Sequence, residues 1–276
     1  MHLPCTVDDY TARNSEVTPE QQMKNSVLVA VAWLHVMLAA AVVQAQPISE
    51  TELTSTDSSS RKRIEIVRTD LAPVLDGVLD DPIWATATLI SDIHQYQPVD
   101  QGAPSERTEF YIAYSERYFY IAARMFDSAP DGIISRQLVQ GGNFNSDDAF
   151  EFILDTFNNG RTGYHFQVNP NGIRREGVFE NPNSLNQDWT GIWQVESRRD
   201  EQGWIAEVEI PFNTLNFNPD SEEWGFTVGR TIARKREEVA WSSFNRNLNP
   251  TTTGVIYGIH DIRQGKGLDI VPSLTM

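Results

Sequence analysis

The sequence predicts an all-β fold, an antiparallel β-sandwich with jelly-roll-like layering. Three observations predict it. Apolar and polar residues alternate with a period of two in segment after segment. Gly, Asn and Pro clusters separate those segments as turns. No sustained 3.6-residue period occurs outside residues 23–45. Hydrophobic residues make up 40% and aromatic residues 10% of the 276, enough to build a core between two sheets. No internal repeat is evident, which argues against a propeller.

The first 45 residues stand apart from that fold. Residues 1–22 are a poor leader and read as an extension ahead of a natural start at Met23. Met23-Lys24-Asn25 is a short charged start, and Ser26 to Val43 is an apolar run without an acid. Val43-Gln44-Ala45 places small or modest side chains where a signal peptidase reads, so residues 23–45 predict a secretory signal cleaved after Ala45. The run is also just long enough to span a bilayer as an anchor. Residues 46–63 are rich in Ser, Thr and acids and predict a disordered linker.

The sandwich is expected over residues 64–262. Leu75-Asp76-Gly77 marks a tight turn, because Gly accepts positive φ and Asp bonds the local backbone. Asp80-Asp81-Pro82 makes a second turn, and Trp84 offers a large body to plug one end of the core. Ile64-Glu65-Ile66-Val67 reads as the first strand. Phe110, Ile112 and Tyr114 share a face, and Phe119, Ile121, Ala123 and Met125 return across Ser115-Glu116-Arg117. Phe150, Phe152 and Leu154 alternate with Glu151, Ile153 and Asp155. The Asn158-Asn159-Gly160 turn leads to Tyr164, Phe166 and Val168. Trp204, Ala206, Val208 and Ile210 form another strand, Trp224, Phe226 and Val228 the next, and Val239-Ala240-Trp241 one more. Phe212 to Phe217 is the one plausible helical turn. Residues 263–276, through Leu268-Asp269-Ile270-Val271-Pro272, read as the start of a further strand or barrel.

Charge and cysteine content exclude whole classes of partner. The formal net charge is -16, from 22 Lys and Arg against 38 Asp and Glu. Cleavage after Ala45 removes Arg13 and Lys24 with Asp8, Asp9, Glu16 and Glu20, leaving -14. An acidic surface of this kind excludes nucleic acid as a partner, since phosphate binding needs positive charge. Cys5, the only cysteine, is lost with the leader, so disulfides and cysteine metal sites are excluded from the mature chain.

Five segments in order resemble a family 9 carbohydrate-binding module. They are Leu75-Asp76-Gly77 with Trp84; the hairpin closing on Phe126-Asp127; Asp147-Asp148-Ala149-Phe150-Glu151-Phe152-Ile153-Leu154-Asp155; Tyr164-His165-Phe166-Gln167-Val168-Asn169-Pro170-Asn171-Gly172; and Gly203-Trp204-Ile205-Ala206-Glu207-Val208-Glu209-Ile210-Pro211-Phe212. The chain is also similar to the N-terminal part of bacterial outer-membrane proteins in which such a module precedes a β-barrel. Trp224-Gly225-Phe226, Arg230-Thr231-Ile232-Ala233-Arg234 and Gly267-Leu268-Asp269-Ile270-Val271-Pro272 resemble the junction before that barrel, which the sequence does not contain. The resemblance spans residues 64–274. It implies a sugar-binding β-sandwich, exported to the periplasm or associated with the outer membrane through a barrel. It leaves two other readings open: a gating or partner-binding periplasmic domain, and a hydrolase of O-glycosyl bonds.

Given a sugar as ligand, the residues suggest where it would sit. Pyranoses need flat apolar faces and side chains that bond hydroxyls. With Tyr164, Phe166 and Val168 facing the core, His165, Gln167 and Asn169 project together from the opposite face. Trp189 lies in the polar stretch Asn186-Gln187-Asp188-Trp189-Thr190-Gly191 and is the expected stacking platform. Arg174 and Arg175, after the Asn171-Gly172 turn, could bond hydroxyls, with Arg174 selected as the further donor; the alternative is that such arginines cover a sheet edge. The alternative is an ordinary solvated face with Trp189 as a lid. Asp147, Asp148 and Asp155 offer hard oxygens of the kind Ca²⁺ prefers, although no EF-hand spacing is present. No catalytic residue is assigned. Neither Gly-x-Ser-x-Gly nor His-Glu-x-x-His occurs, and a carboxylate pair at glycosidase separation cannot be read from a sequence.

Overall fold

The structure, a computed structural model, describes residues 61–263. The expected leader, the linker up to residue 60 and the strand expected from Leu268 lie outside the described residues. Two sheets pack face to face. In chain order the strands are β1 Arg63–Glu65, β2 Val67–Arg68, β3 Thr88–Ile90, β4 His94–Gln97, β5 Thr108–Tyr114, β6 Tyr118–Phe126, β7 Ala149–Asp155 and β8 Gly163–Val168. There follow β9 Arg174–Asn181, β10 Ser184–Asn186, β11 Gln194–Asp200, β12 Gly203–Pro211, β13 Glu223–Ile232, β14 Glu237–Ala240 and β15 Gly254–Tyr257. The nine-stranded sheet runs β1-β15-β13-β7-β8-β9-β10, and β14 and then β4 extend it beside the second half of β13. The six-stranded sheet runs β11-β12-β6-β5-β2, with β3 also on β5.

Pairing is antiparallel except where the chain enters. The expected first strand breaks at Ile66: β1 pairs parallel with β15 in one sheet, and β2 parallel with β5 in the other. One short segment thus stitches both layers. The expected helical turn after Pro211 is a 3-10 turn, Phe212–Thr214. A five-residue helix, α1 Pro82–Thr86, was not expected; Pro82 at its first turn costs no hydrogen bond.

The core follows the alternation. Phe150, Phe152, Leu154, Tyr164, Phe166, Val168, Trp224, Phe226 and Val228 meet Phe110, Ile112, Tyr114, Phe119, Ile121, Met125, Trp204, Val208 and Ile210 between the sheets. Each such side chain contributes about 1.5–3 kcal/mol when fully buried. Trp193, Trp204, Trp224 and Trp241 are all core residues. Trp84 is not an end plug. With Ile83, Ala113, Tyr120 and Ala122 it forms a second cluster on the outer side of the six-stranded sheet.

Glu207 on β12 explains the opening motif. Its carboxylate is fully buried and accepts from the Asp76 N–H at 3.0 Å, the Gly77 N–H at 2.7 Å and the Trp84 indole N–H at 2.8 Å. Gly77 has φ +77°, and a Cβ there would stand 2.5 Å from the Arg198 Cβ. Only glycine satisfies both that backbone angle and that space. The Leu-Asp-Gly turn and the tryptophan are two clamps on one carboxylate.

Candidate functional site: a polar cleft on the nine-stranded sheet

The outer face of the nine-stranded sheet carries a cleft of about 470 Å³. Strand register builds its floor. Glu151 on β7 lies opposite Gln167 on β8, which lies opposite Arg175 on β9. His165 sits one pleat further along β8, on the same face. Tyr96 and Gln97 from β4, Thr231 from β13 and Glu238 from β14 form one wall. Phe144 and Asn145 and the turn Arg246-Asn247-Leu248 form the other lining.

Glu151 is the pivot. Its carboxylate meets His165 Nε2 at 2.9 Å and accepts from Gln167 Nε2 at 3.0 Å and the Tyr96 hydroxyl at 3.3 Å. Burial pushes the Glu151 carboxyl up, but His165, Gln167 and Tyr96 outweigh it, and the net shift is downward. Glu238 moves the other way: burial and the nearby Glu151 charge raise it against the Tyr96 hydroxyl. Tyr96 itself is raised by burial and by both carboxylates. Arg175 donates to the Gln167 Oε1 at 3.1 Å, fixing the orientation of that amide. The floor is therefore an ordered row of donors and acceptors, set before any ligand arrives.

A tight hairpin overhangs the cleft. Phe244 and Asn247 exchange backbone bonds around Asn245 and Arg246, whose φ values are 49° and 60°. A left-handed non-glycine residue costs on the order of 1–3 kcal/mol and clusters at ligand clamps. Directly opposed residues share a face. Phe244, 65% exposed, bridges Asn247 through the backbone, while Arg246, Asn247 and Leu248 line the cleft.

The expected site residues divide. His165 and Gln167 lie in the cleft. Asn169 does not project with them, because β8 ends at Val168 and the chain turns. Asn169 is fully buried: its amide donates to the Gln137 carbonyl (3.0 Å) and Asp147 (3.1 Å), and its oxygen accepts from the Asn171 and Ile173 N–H groups. No capacity remains for a ligand. Arg174 pairs with Val168, so it leaves the strand on the opposite side from Arg175. Its guanidinium stacks 5.3 Å over Trp193 and bonds the Trp193 carbonyl. Trp189 is half-buried, 4.9 Å from the Tyr164 ring and 6.1 Å from Phe166, and lines a separate smaller hollow.

The three aspartates do not fit a calcium ion. Asp147 accepts from the Arg136 and Gln137 N–H groups and from Asn169. Asp148 accepts from the Ile134 N–H and faces the Arg230 cation. Asp155 accepts from the Gly160 N–H and faces Arg61, which bonds Thr253, Gly254 and Asn158 around it. Asp148 and Asp155 flank opposite ends of β7, roughly 20 Å apart at about 3.3 Å per residue. Among the described residues no group of three acids, histidines or cysteines could hold a metal.

Glu151, Tyr96, Arg175 and Glu238 were not selected from the sequence. For Glu151 and Arg175 a signal existed: β7, β8 and β9 are joined by short turns, so alternation aligns their outward residues. Tyr96 and Glu238 come from strands paired across the fold and left no local signal.

Comparisons with known proteins agree with this architecture. A carbohydrate-binding module of family 9 from Caldicellulosiruptor kristjanssonii, solved with cellotriose and with glucose, superposes with a TM-score of 0.53 at 18% identity. That match covers 76% of this chain and all of the other. A candidate carbohydrate-binding protein from Bacteroides uniformis superposes with a TM-score of 0.54 at 14% identity, covering 72% of this chain and 99% of the other. At these identities the likeness shows the fold alone. No curated protein sequence matches the chain. Residues 75–248 match the carbohydrate family 9 binding domain-like family, a span of more than half of the chain, and the protein belongs to that family.

Proposed function

We propose that the protein is an exported binding module that holds a neutral sugar in the cleft of the nine-stranded sheet. The observation that carries this reading is the convergence of Glu151, His165, Gln167 and Arg175 on one hydrogen-bonded floor. Hydroxyls are donors and acceptors at once, and the floor presents both. Phe244, exposed on the hairpin whose turn lines the cleft, is the ring proposed to take the C–H side of a pyranose. The solved relative's ligands, cellotriose and glucose, make gluco-configured sugars the first to try. Export rests on residues 23–45, and outer-membrane association on the likeness to barrel-linked modules.

Calorimetric titration of the mature protein with a panel of neutral mono- and oligosaccharides tests the reading. Binding that falls in Gln167→Ala supports it. Loss of one hydrogen bond costs about 0.5–1.5 kcal/mol, or about two- to thirteenfold in Kd. A full panel without heat of binding would remove it.

A hydrolytic reading is favoured by one observation. Glu151 and Glu238 share the cleft, and their surroundings displace them in opposite directions, as an acid and a base require. Release of reducing ends from an oligosaccharide, abolished in Glu238→Gln with binding retained, is its test. Sugar recovered intact after prolonged incubation would leave binding as the whole activity.

A further inference from the structure

Just ahead of β1, the half-buried Arg61 guanidinium sits in a cage of oxygens. Its Nε donates to the Thr253 carbonyl at 2.9 Å, and Nη1 donates to the Asn158 Oδ1 at 3.1 Å. Nη2 donates to the Thr253 hydroxyl at 3.0 Å and to the Gly254 carbonyl at 2.9 Å. The Asp155 carboxylate supplies the opposing charge. Burial lowers the guanidinium, and Asp155 is the first charge to hold it up, ahead of Arg63 and Glu223, which act with opposite signs.

The cage stands on bonds of its own. Asp155 ends β7 and is 0% exposed. Its Oδ2 accepts from the Gly160 N–H at 2.7 Å, and the Asn159 and Phe157 N–H groups also face the carboxylate, yet Oδ1 closes no hydrogen bond. A buried acceptor without a partner is rare in a folded protein. Asn158 lies in the turn that follows, and its N–H donates to the Asp155 carbonyl at 2.9 Å. Thr253, 1% exposed, precedes β15 and donates its hydroxyl proton to the Pro250 carbonyl at 3.0 Å. Gly225 on β13 lies opposite Asp155 and lets these parts meet. A Cβ there would stand 2.8 Å from the Thr253 Oγ1 and 2.9 Å from the Asp155 Cβ, closer than real side chains come.

Carboxylate, amide, hydroxyl and carbonyl oxygens gathered on one positive charge are the donor set of a hard-cation site. We propose that this cage is a cation site whose resident cation is the Arg61 guanidinium: the arginine stands in for a metal ion, ties the chain ahead of β1 to the β7 turn and to β15, and makes the fold independent of calcium. With the guanidinium in place no ion enters. Without it, the same oxygens take Ca²⁺, and water completes its shell of about six to eight ligands. The Nη2 position is already within about 0.5 Å of Ca–O bonding distance from the Thr253 hydroxyl and the Gly254 carbonyl. One carboxylate among neutral oxygens makes a weak site, with a Kd of about 0.1–1 mM.

The test is the thermal melt of the mature protein as wild type, Arg61→Ala and Arg61→Ala with Asp155→Asn. Each is melted in chelator and in about 10 mM Ca²⁺ or Mg²⁺ at equal ionic strength. Mg²⁺ reports the general response of an acidic surface, because it keeps its waters and demands an octahedral shell. Wild type should respond alike to the two ions. Arg61→Ala should melt below wild type in chelator and regain about 3–10 °C in Ca²⁺ beyond its response to Mg²⁺, the shift for a ligand at about 10- to 100-fold over Kd in a domain of this size. Adding Asp155→Asn should abolish that gain. Should the double variant fail to fold, calorimetric titration of Arg61→Ala beside wild type carries the test, with one Ca²⁺ site expected in the variant alone. An Arg61→Ala melt equal to wild type in chelator, or one that responds alike to Ca²⁺ and Mg²⁺, would overturn the proposal. So would a calcium gain that wild type shares, or one that survives loss of the Asp155 charge.

Discussion

Replacing Glu207 with alanine should be among the most damaging single changes outside the main core. The carboxylate holds three N–H groups at 2.7 to 3.0 Å in a fully buried site. Hydrogen bonds to a charged group are worth about 1.5–3 kcal/mol each, and a stranded buried donor costs about 1–3 kcal/mol. The three are not additive, because the Asp76-Gly77 turn can swing toward water once released. A net loss of about 3–5 kcal/mol follows, the range seen when a buried charged partner is removed. Against a total stability of about 5–15 kcal/mol this is a large fraction. At about 2–4 °C per kcal/mol for a domain of this size, the melting temperature should fall by roughly 6–20 °C. Urea titration and a thermal melt of the mature protein measure both. Glu207→Gln keeps the shape and one acceptor, so its loss should be smaller. Sugar binding at temperatures where the variant stays folded should be unchanged, since the cleft lies on the other sheet. A loss below about 1 kcal/mol, or weaker sugar binding in a variant of full stability, would refute the assignment of Glu207 as a structural clamp.

Three further outcomes are expected. Asn169→Ala should destabilise by about 2–4 kcal/mol, because it strands the partners of four hydrogen bonds, one buried and three part-buried; an unaltered melt would return Asn169 to the list of surface residues. Burial raises Glu106, but Lys235 and Ser128 outweigh it and hold its carboxyl at about 2 against an ordinary 4.5. A depressed acid contributes stability above about pH 4.5, and that contribution is lost as pH falls through about 2, so wild type should exceed Glu106→Gln by up to about 3 kcal/mol at pH 6 and converge with it near pH 2. A pH-independent gap between the two would show that charge is not the cause. N-terminal sequencing of protein exported from a Gram-negative host should read from Gln46; an intact Met23 or Met1 on the exported protein would argue against the signal peptide.

The layered fold was legible because most strands alternate with a strict period of two, and Phe150-Phe152-Leu154 and Tyr164-Phe166-Val168 needed no tertiary knowledge to be placed inward. The same alternation placed His165 and Gln167 together. It failed at Asn169, one residue past the strand, where a turn rather than a pleat sets direction. It failed again at Arg174, where the neighbour Arg175 has the outward phase; counting back to Gln167 would have chosen correctly. Trp189 leans back onto Tyr164, a contact that a polar loop sequence does not reveal. The partners of Glu207, and the meeting of Tyr96 and Glu238 over Glu151, depend on pairings between distant strands. The aspartates shared a composition suited to calcium but not a location, since β7 separates two of them by its full length.

Amide chemical-shift mapping of the mature protein during a sugar titration tests the central claim most directly. If the cleft is the site, the shifts cluster on Glu151, His165, Gln167, Arg175, Glu238 and the Arg246 to Leu248 turn. The six-stranded sheet stays silent. Saturable shifts centred on β5, β6, β11 or β12, with the outer face of β7 and β8 unmoved, would contradict it.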